Sequence, residues 1–313
     1  MSSGEGASEA ASRPAARRAW YGLLLALGAA ITFSGKAIII KLGYRYGVDS
    51  VTLLMYRMLF ALPLFAWMAW RAGRGRPRLS GRDLGLVGAL GFVFYASAFL
   101  NFLGLNYISA NLERLIMYLL PTVVLLVGFV LFGRTVSRLQ VLALVLSYSG
   151  VLLVFGHELQ IQGSHVGLGT LMIFTCVVAY AVYMVGSAEL LKRLGPMRVS
   201  GWTSTVACLL CIGQFLLMRP LSAAAVPTSV LWLSLANGLV CTAAPGLLLM
   251  MAMERLGAGV TAQVGMVGPM STILMSVLIL GEPFTVWVAA GTALVMGGVW
   301  MLTRERSAGA ANA

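Results

Sequence analysis

The chain contains an internal repeat that constrains its fold more than any other feature. A proline within an apolar run, followed by a glycine turn, occurs twice in the same spacing. The first copy is Leu119–Leu120–Pro121 running to Phe132–Gly133–Arg134, and the second is Val267–Gly268–Pro269 running to Leu280–Gly281–Glu282. Each residue of the second copy lies 148 positions after its counterpart, without a gap. This repetition predicts a fold built from two related halves.

The composition places those halves in a membrane. Hydrophobic residues make up 59% of the chain and charged residues 10%, whereas a soluble domain carries about 25% charged residues. A helix needs roughly 20 apolar residues to cross the bilayer. Ten stretches meet this need, and we predict an all-α polytopic membrane protein with spans at 20–42, 50–71, 83–105, 110–131, 138–155, 167–189, 198–218, 230–252, 258–280 and 284–303.

The spans divide equally between the two copies of the repeat. We predict a disordered cytoplasmic N-tail (1–19), a first five-helix repeat (20–155), an external linker (156–166), a second five-helix repeat (167–303) and a cytoplasmic C-tail (304–313). Because each half has an odd number of spans, the halves must cross the membrane in opposite directions. Inverted repeats of this kind are typical of secondary transporters, which hold their solute near the midplane.

The distribution of Lys and Arg predicts the orientation. Positive residues are retained in cytoplasmic loops. With the N-terminus inside, 16 Lys and Arg residues lie on the cytoplasmic side and 3 on the other side. We therefore expect a multi-pass protein of a bacterial-type cytoplasmic (inner) membrane with both termini cytoplasmic. The net charge of +12 is explained by this asymmetry, and no nucleic-acid partner is expected.

Ionisable residues inside the predicted spans are candidates for a solute site, because each costs about 2.5–3.5 kcal/mol to insert. Lys36, Arg57, Glu113 and Arg114 fall in this class, and Asn101 lies at a similar depth. The excess of cations favours a solute carboxylate, for which we expect Lys36 and Arg57 because they lie deepest. Glu113 is available to a solute amine or to a proton. A purely structural role, in which these charges pair with one another or reach the membrane surface, is the alternative.

Aromatic and polar residues within the spans are the second set of candidates. We expect Tyr95, Tyr118, Tyr183 and Trp202 to line the pocket and Gln263 to contribute a polar group; ordinary packing is the alternative. The repeated prolines, Pro121 and Pro269, are predicted hinges, since a proline within a helix removes a hydrogen bond and permits a kink.

Other kinds of chemistry receive no support from the sequence. The four cysteines lie in apolar runs without zinc or disulfide spacing, and His157 and His165 are an isolated pair in the linker. We expect no metal, no cofactor and no catalytic residues, so the protein is not predicted to be an enzyme. With no ATP-binding motif, the driving force is a gradient of solute or ion, and protons are the candidate ion.

The repeat also carries a family resemblance. Ten spans in two halves, each with a mid-helix proline, a glycine turn and a Gly–Val ending (Gly150–Val151 and Gly298–Val299), resemble the EamA type of the drug/metabolite transporter superfamily. The LGEP sequence at Leu280–Pro283 and Arg57 in the second span resemble features of that family, whereas Phe132–Thr135 departs from them. Within the family the chain looks closest to bacterial exporters of aromatic amino acids.

This resemblance implies a secondary transporter that exports small organic solutes, in the first place aromatic or other neutral amino acids, by alternating access. Two alternatives are left open. One is a carrier of the same fold for another metabolite or drug, such as a sugar phosphate or a cationic compound. The other is a membrane sensor or enzyme, although the sequence contains neither an acid/base cluster nor an output domain.

Overall fold

The computed structural model describes residues 5–120, 122–124, 126–127, 138–162, 165–264 and 268–311. Within these ranges the chain forms helices and turns but no strand. The helices are α1 Glu5–Arg45, α2 Ser50–Gly73, α3 Gly81–Gly104, α4 Ala110–Met117, α5 Arg138–Gln162, α6 His165–Leu194, α7 Pro196–Met218, α8 Thr228–Gly238, α9 Ala244–Val264, α10 Gly268–Met275 and α11 Val286–Ala311. The prediction of an all-α protein is confirmed for the described residues.

Seven described helical stretches are long and apolar enough to cross a membrane. Two shorter apolar helices, Ser271–Leu280 and Val286–Gly298, accompany them. Large apolar side chains cover the outer surface, and the indole rings of Trp20, Trp67 and Trp300 are exposed near the ends of the predicted spans, as in the aromatic belts of membrane proteins. The chain is therefore a helical membrane protein. The number of ten spans and their inverted arrangement stay predictions, since part of the fourth predicted span lies outside the described residues.

Polar caps and glycines determine where the helices begin and end. The side chains of Asp49, Ser80 and Ser109 accept hydrogen bonds from the first backbone N–H groups of α2, α3 and α4, which the helix itself leaves unpaired. A π-helical turn, Ser276–Leu280, follows α10 and ends at Gly281. The φ angle of Gly281 is 72°, a left-handed conformation that favours glycine.

Helix boundaries differ from the sequence-based expectation at three places. The first helix begins at Glu5, within the predicted disordered tail, because this segment is rich in alanine and other helix formers. The helix α9 runs from Ala244 to Val264, so the backbone is helical through the expected loop between 252 and 258. The expected external linker is largely helical, since α5 continues to Gln162 and α6 begins at His165.

The helices pack in pairs that connect distant parts of the sequence. The main pairs are α2 with α7, α5 with α11, α3 with α6, and α1 with α9. The largest buried cluster lies among α1, α2, α3 and α7, where Met58, Phe65 and Phe102 are fully enclosed. A second cluster, which includes Leu112, Leu115 and Val295, lies among α4, α5, α6 and α11. The polar residues considered next lie beside the first cluster.

Candidate functional site

Three polar side chains that the sequence analysis selected form one buried group, which we call the polar cluster. It consists of Lys36 from α1, Asn101 from α3 and Glu113 from α4. The Nζ of Lys36 lies 3.4 Å from Oε1 of Glu113, and Nδ2 of Asn101 donates to the same oxygen at 2.7 Å. Their exposed fractions are 5%, 2% and 0%, respectively. An ion pair this deeply buried needs both partners, because either charge alone would be uncompensated.

Two acceptor atoms of the polar cluster have no hydrogen-bond partner among the described residues. They are Oε2 of Glu113 and Oδ1 of Asn101. The orientation of the Asn101 amide follows from its bond to Glu113, because a carboxylate oxygen accepts and only the NH2 group can donate to it. An unpaired buried acceptor costs about 1–3 kcal/mol. The cluster therefore retains unused capacity to accept hydrogen bonds.

Arg57 lies on α2 and has different partners. Its Nε donates to Oγ1 of Thr242 at 2.7 Å, and its guanidinium carbon lies 5.3 Å from the centre of the Phe102 ring. Thr242 belongs to the π-helical turn between α8 and α9 and donates in turn to the carbonyl of Asn237 at 2.7 Å. The side chain of Arg57 is thus buried against a hydroxyl and an aromatic face rather than against a described carboxylate.

Arg114 lies next to Glu113 in the chain and is half-buried. One of its terminal nitrogens, Nη2, lies 3.5 Å from the carbonyl oxygens of Phe33 and Ser34 on α1. Its Nε is buried and lacks a hydrogen-bond partner among the described residues. Arg114 therefore adds an unused donor beside the two unused acceptors of the polar cluster.

Contacts from α1 connect this region to the second half of the chain. The hydroxyl of Ser34 donates to the carbonyl of Gly268 at 2.6 Å, and the hydroxyl of Thr272 donates to the carbonyl of Ser34 at 3.3 Å. Ser34 is two residues before Lys36. The polar cluster and Arg57 thus lie where helices of residues 20–155 meet helices of residues 167–303.

The predicted aromatic residues are distributed over several places. Tyr183 and Trp202 lie in a cluster of α3, α6 and α7, where the Tyr183 ring stacks on Phe94 with 4.9 Å between centroids. Tyr95 stacks on Phe99 at 6.3 Å. Tyr118 packs against the cluster of α4, α5, α6 and α11. The described contacts therefore join Lys36, Asn101 and Glu113 to one another, whereas Tyr95, Tyr183 and Trp202 pack in hydrophobic clusters.

Three further candidates lie wholly or partly outside the described residues. Gln263 belongs to the α9 backbone, and Pro269 is the second residue of α10, but the side chains of both lie outside the description. Pro121 lies outside the described residues. The roles of Gln263 as a pocket residue and of the two prolines as hinges stay predictions.

The structure also identifies contacts that the sequence did not indicate. Glu282 accepts hydrogen bonds from the backbone N–H groups of Ala110 at 2.9 Å and Asn111 at 3.3 Å, and Glu158 accepts from Ser109. Both carboxylates therefore lie at the N-terminus of α4, where the helix dipole favours negative charge. The acidic residue of the LGEP sequence could have drawn attention to this role, whereas Thr242 and Ser34 are small hydroxyl residues without a distinctive pattern.

Two ion pairs join the halves at opposite ends of α2. Nη2 of Arg219, at the end of α7, lies 3.1 Å from Oδ1 of Asp49 at the start of α2. Beyond the other end of α2, Nη2 of Arg193 lies 3.0 Å from Oδ1 of Asp83. Nearby, Arg198 donates to the carbonyl of Pro77 at 2.7 Å. The Asp49–Arg219 pair therefore connects α2 to α7 at one end, and the Asp83–Arg193 pair connects α3 to α6 at the other.

A cavity of about 360 Å³ lies at the Asp49 end of the bundle. Its polar walls are Lys41, Tyr44, Arg45, Asn106 and Glu282. Arg45 also donates to the carbonyl of Leu280. Elsewhere in the described residues, no group of three or more His, Cys, Asp or Glu residues could hold a metal ion.

Comparisons with protein families and with known sequences agree with each other. The EamA-like transporter family matches residues 20–156 and again 167–304. An uncharacterized transporter of Bacillus subtilis, YcbK, is 31% identical over 281 residues, covering 85% of this chain and 87% of its own length. An uncharacterized transporter of Archaeoglobus fulgidus is 23% identical over 287 residues, covering 90% of this chain and 99% of its own length.

The fold has a counterpart among solved structures. A crystal structure with 18% sequence identity covers 90% of this chain and 97% of its own chain with a TM-score of 0.65; at this identity the likeness concerns the fold. The relatives are transporters, so the expectation that the chain is not an enzyme is confirmed. The predicted resemblance is confirmed for the family, whereas the likeness to exporters of amino acids stays a prediction. The chain belongs to the EamA-like transporter family.

Proposed function

We propose that the protein is a secondary transporter that exports small organic solutes, with neutral and aromatic amino acids as the preferred class, from the cytoplasm by alternating access. Its ten spans would form two inverted five-helix repeats, 20–155 and 167–303, in a cytoplasmic (inner) membrane with both termini inside. The two segments that match the family support this division. The helix pairs support it further, because α2–α7 and α5–α11 join the second span to the seventh and the fifth to the tenth.

The observation that carries the proposal is the buried polar cluster. Charged side chains within membrane helices are costly and are concentrated along solute and ion pathways. Lys36 and Glu113 are almost completely buried, and contacts between Ser34 and Gly268 bring the second half of the chain close to them. The interface between repeats is where transporters of this build hold their solute.

Alternating access requires that one end of the bundle open while the other stays closed. The pairs Asp49–Arg219 and Asp83–Arg193 are suited to this role, since each joins the two halves at a different end of α2. In the proposed orientation, Asp49–Arg219 is external and Asp83–Arg193 is cytoplasmic. Bending at Pro121 and Pro269 would allow the ends to separate in turn, because both prolines occupy equivalent positions in the repeats.

Counterflow in liposomes tests the proposal. Purified protein would be reconstituted in vesicles loaded with one unlabelled solute and exposed to the labelled form outside. The panel would contain neutral amino acids, sugars, sugar phosphates and quaternary ammonium compounds. We expect rapid exchange of amino acids by the protein and none by empty vesicles. Exchange of another class alone would contradict the assigned solute but not the carrier function, and exchange of no class would contradict both.

A further inference from the structure

The unused atoms around the polar cluster have complementary chemistry. Oε2 of Glu113 and Oδ1 of Asn101 are buried acceptors, and Nε of Arg114 is a buried donor, all without hydrogen-bond partners among the described residues. Buried polar atoms in native proteins are normally paired. Three unpaired atoms on Asn101 and two consecutive residues of α4 therefore indicate that a ligand supplies the missing hydrogen bonds.

The ligand must present donors to Glu113 and Asn101 and an acceptor to Arg114. An ammonium group donates three hydrogen bonds, and a carboxylate accepts them. A ligand with both groups introduces no net charge, which matters because each additional charge in a membrane interior is costly. An amino-acid zwitterion meets these conditions, whereas a simple amine or a simple carboxylate satisfies only one side.

The other cations are already engaged. Lys36 pairs with Oε1 of Glu113, and Arg57 donates its Nε to Thr242 and stacks on Phe102. A solute carboxylate would compete with Glu113 for Lys36, and the Nε of Arg57 is already occupied by Thr242. The Nε of Arg114 has no described partner with which a solute would compete.

We propose that the polar cluster and Arg114 form a zwitterion site. The solute ammonium group donates to Oε2 of Glu113 and Oδ1 of Asn101, and the solute carboxylate accepts from Nε of Arg114. Lys36 is then a positioning residue that holds the Glu113 carboxylate in place, and Arg114 is the carboxylate-binding residue in place of Arg57. This inference rests on the proposed transport function, because it assigns the solute class of the same site.

Removing one charged group of the solute at a time tests the assignment. Labelled phenylalanine is exchanged in liposomes in the presence of unlabelled phenylalanine, phenylpropionate, which lacks the amine, or phenethylamine, which lacks the carboxylate. We expect phenylalanine to compete at least tenfold better than either analogue, since a site built for hydrogen bonding rejects a ligand that leaves its polar groups unpaired. Equal competition by phenylpropionate or phenethylamine would overturn the zwitterion site while leaving the carrier function intact.

Variants connect each solute group to its residue. Glu113→Gln is expected to reduce the preference for phenylalanine over phenylpropionate at least tenfold, because the amine loses its charged acceptor. Arg114→Gln is expected to reduce the preference for phenylalanine over phenethylamine by a similar factor. Arg114→Lys is expected to retain part of that preference. A variant that merely damages folding would lower all rates together and would leave these ratios unchanged.

A matched control is available within the chain. Asn237 on α8 is a second buried asparagine with an unpaired Oδ1, but its side chain is not part of the proposed site. Asn237→Ala should retain the preference for phenylalanine, whereas Asn101→Ala should weaken the discrimination against phenylpropionate. If both asparagine variants behave alike, or if phenylalanine exchanges only weakly while an amine-free solute exchanges rapidly, the assignment is wrong.

Discussion

At the scale of single residues, the Lys36–Glu113 ion pair dominates the site. Removing one member of a buried pair typically costs 3–5 kcal/mol, because the other charge is left uncompensated, whereas replacing both with apolar residues costs much less. We therefore expect Glu113→Leu to destabilise the protein by about 3 kcal/mol and the double variant Lys36→Met with Glu113→Leu to recover most of that loss. Thermal unfolding of the purified variants in one detergent measures the difference.

Adding the single variant Lys36→Met to these two variants completes a double-mutant cycle, which measures the coupling energy between Lys36 and Glu113. A coupling energy below about 0.5 kcal/mol, the usual error of additivity, would contradict the paired arrangement. Transport provides an independent readout, since all three variants should lose exchange whatever their stability. The double variant is the informative one, because it is expected to be stable and inactive.

The sequence was informative about these residues for one physical reason. A charge within an apolar span is expensive, so Lys36, Arg57 and Glu113 stand out against their neighbours without any structural knowledge. Their partners do not stand out. Asn101 was selected by depth alone, and Thr242 is one of many hydroxyl residues in the spans, which hydrogen-bond within their own helix in most cases. Which charge meets which partner depends on helix rotation, and the composition of a span does not determine that rotation.

At the scale of helices, the α5–α11 pair depends on a close approach of two backbones. A Cβ atom on Gly150 would lie 2.6 Å from the carbonyl oxygen of Gly291, and one on Gly291 would lie 2.7 Å from the carbonyl oxygen of Gly150. Gly156 lies on the same helix as Gly150 with open space around it. We expect Gly150→Ala to cost about 1–3 kcal/mol, as overpacking does, and Gly156→Ala to cost nothing or to stabilise slightly.

Melting temperatures of the two alanine variants, measured side by side, check this prediction. The two variants carry the same substitution in the same helix, and they differ only in how close the backbone of the neighbouring helix lies. Equal melting temperatures would show that the helices separate without cost. The repeat in the sequence pointed to Gly150 and its counterpart Gly298, but Gly291, the residue that faces Gly150, has no distinguishing pattern.

The cap of α2 gives a pH-dependent prediction. Burial raises the pKa of Asp49, but hydrogen bonds from Thr52 and Val51 and the charge of Arg219 outweigh it and lower the pKa overall. A carboxylate with a lowered pKa stabilises the fold above its ordinary pKa of about 4, and this stabilisation is lost as the pH falls through the folded-state value.

Asp49→Asn removes this titration while retaining a good N-cap residue. Between about pH 6 and about pH 3, the melting temperature of the wild-type protein should therefore fall further than that of Asp49→Asn. The two curves of melting temperature against pH should converge in acid. Arg219→Gln should lie between them, because the Thr52 hydrogen bonds persist. Parallel curves for all three proteins would exclude a contribution from Asp49 to acid stability.

At the scale of the whole molecule, the two ion pairs at the ends of α2 make alternating access testable. Cysteines at positions 49 and 219, introduced as Asp49→Cys and Arg219→Cys, can be joined by a short bismaleimide, and Asp83→Cys with Arg193→Cys serves for the other end. The native cysteines, Cys176, Cys208, Cys211 and Cys241, are buried and compete little for the reagent. Crosslinking at either end should lower counterflow by about tenfold or more, since motion limits transport.

Single-cysteine variants treated with the same reagent are the controls, and they should exchange solute at the rate of untreated protein. Full exchange by a protein crosslinked at both ends would rule out opening at these ends. The existence of two halves follows from the repeat in the sequence. The positions of the end contacts do not, because Asp49, Asp83, Arg193 and Arg219 lie at helix ends, where charged residues are common.

The charge of Arg57 lies where the membrane potential can act on it. Its buried guanidinium donates to the neutral hydroxyl of Thr242, so the protein carries a positive charge within the electric field of the bilayer. A membrane potential acts on such a charge with about 2.3 kcal/mol per elementary charge per 100 mV for a full crossing. Any rearrangement that shifts Arg57 through part of that field is favoured by one polarity and opposed by the other. The voltage across a cell envelope would then bias which face is open, even when the transported molecule itself is electrically neutral.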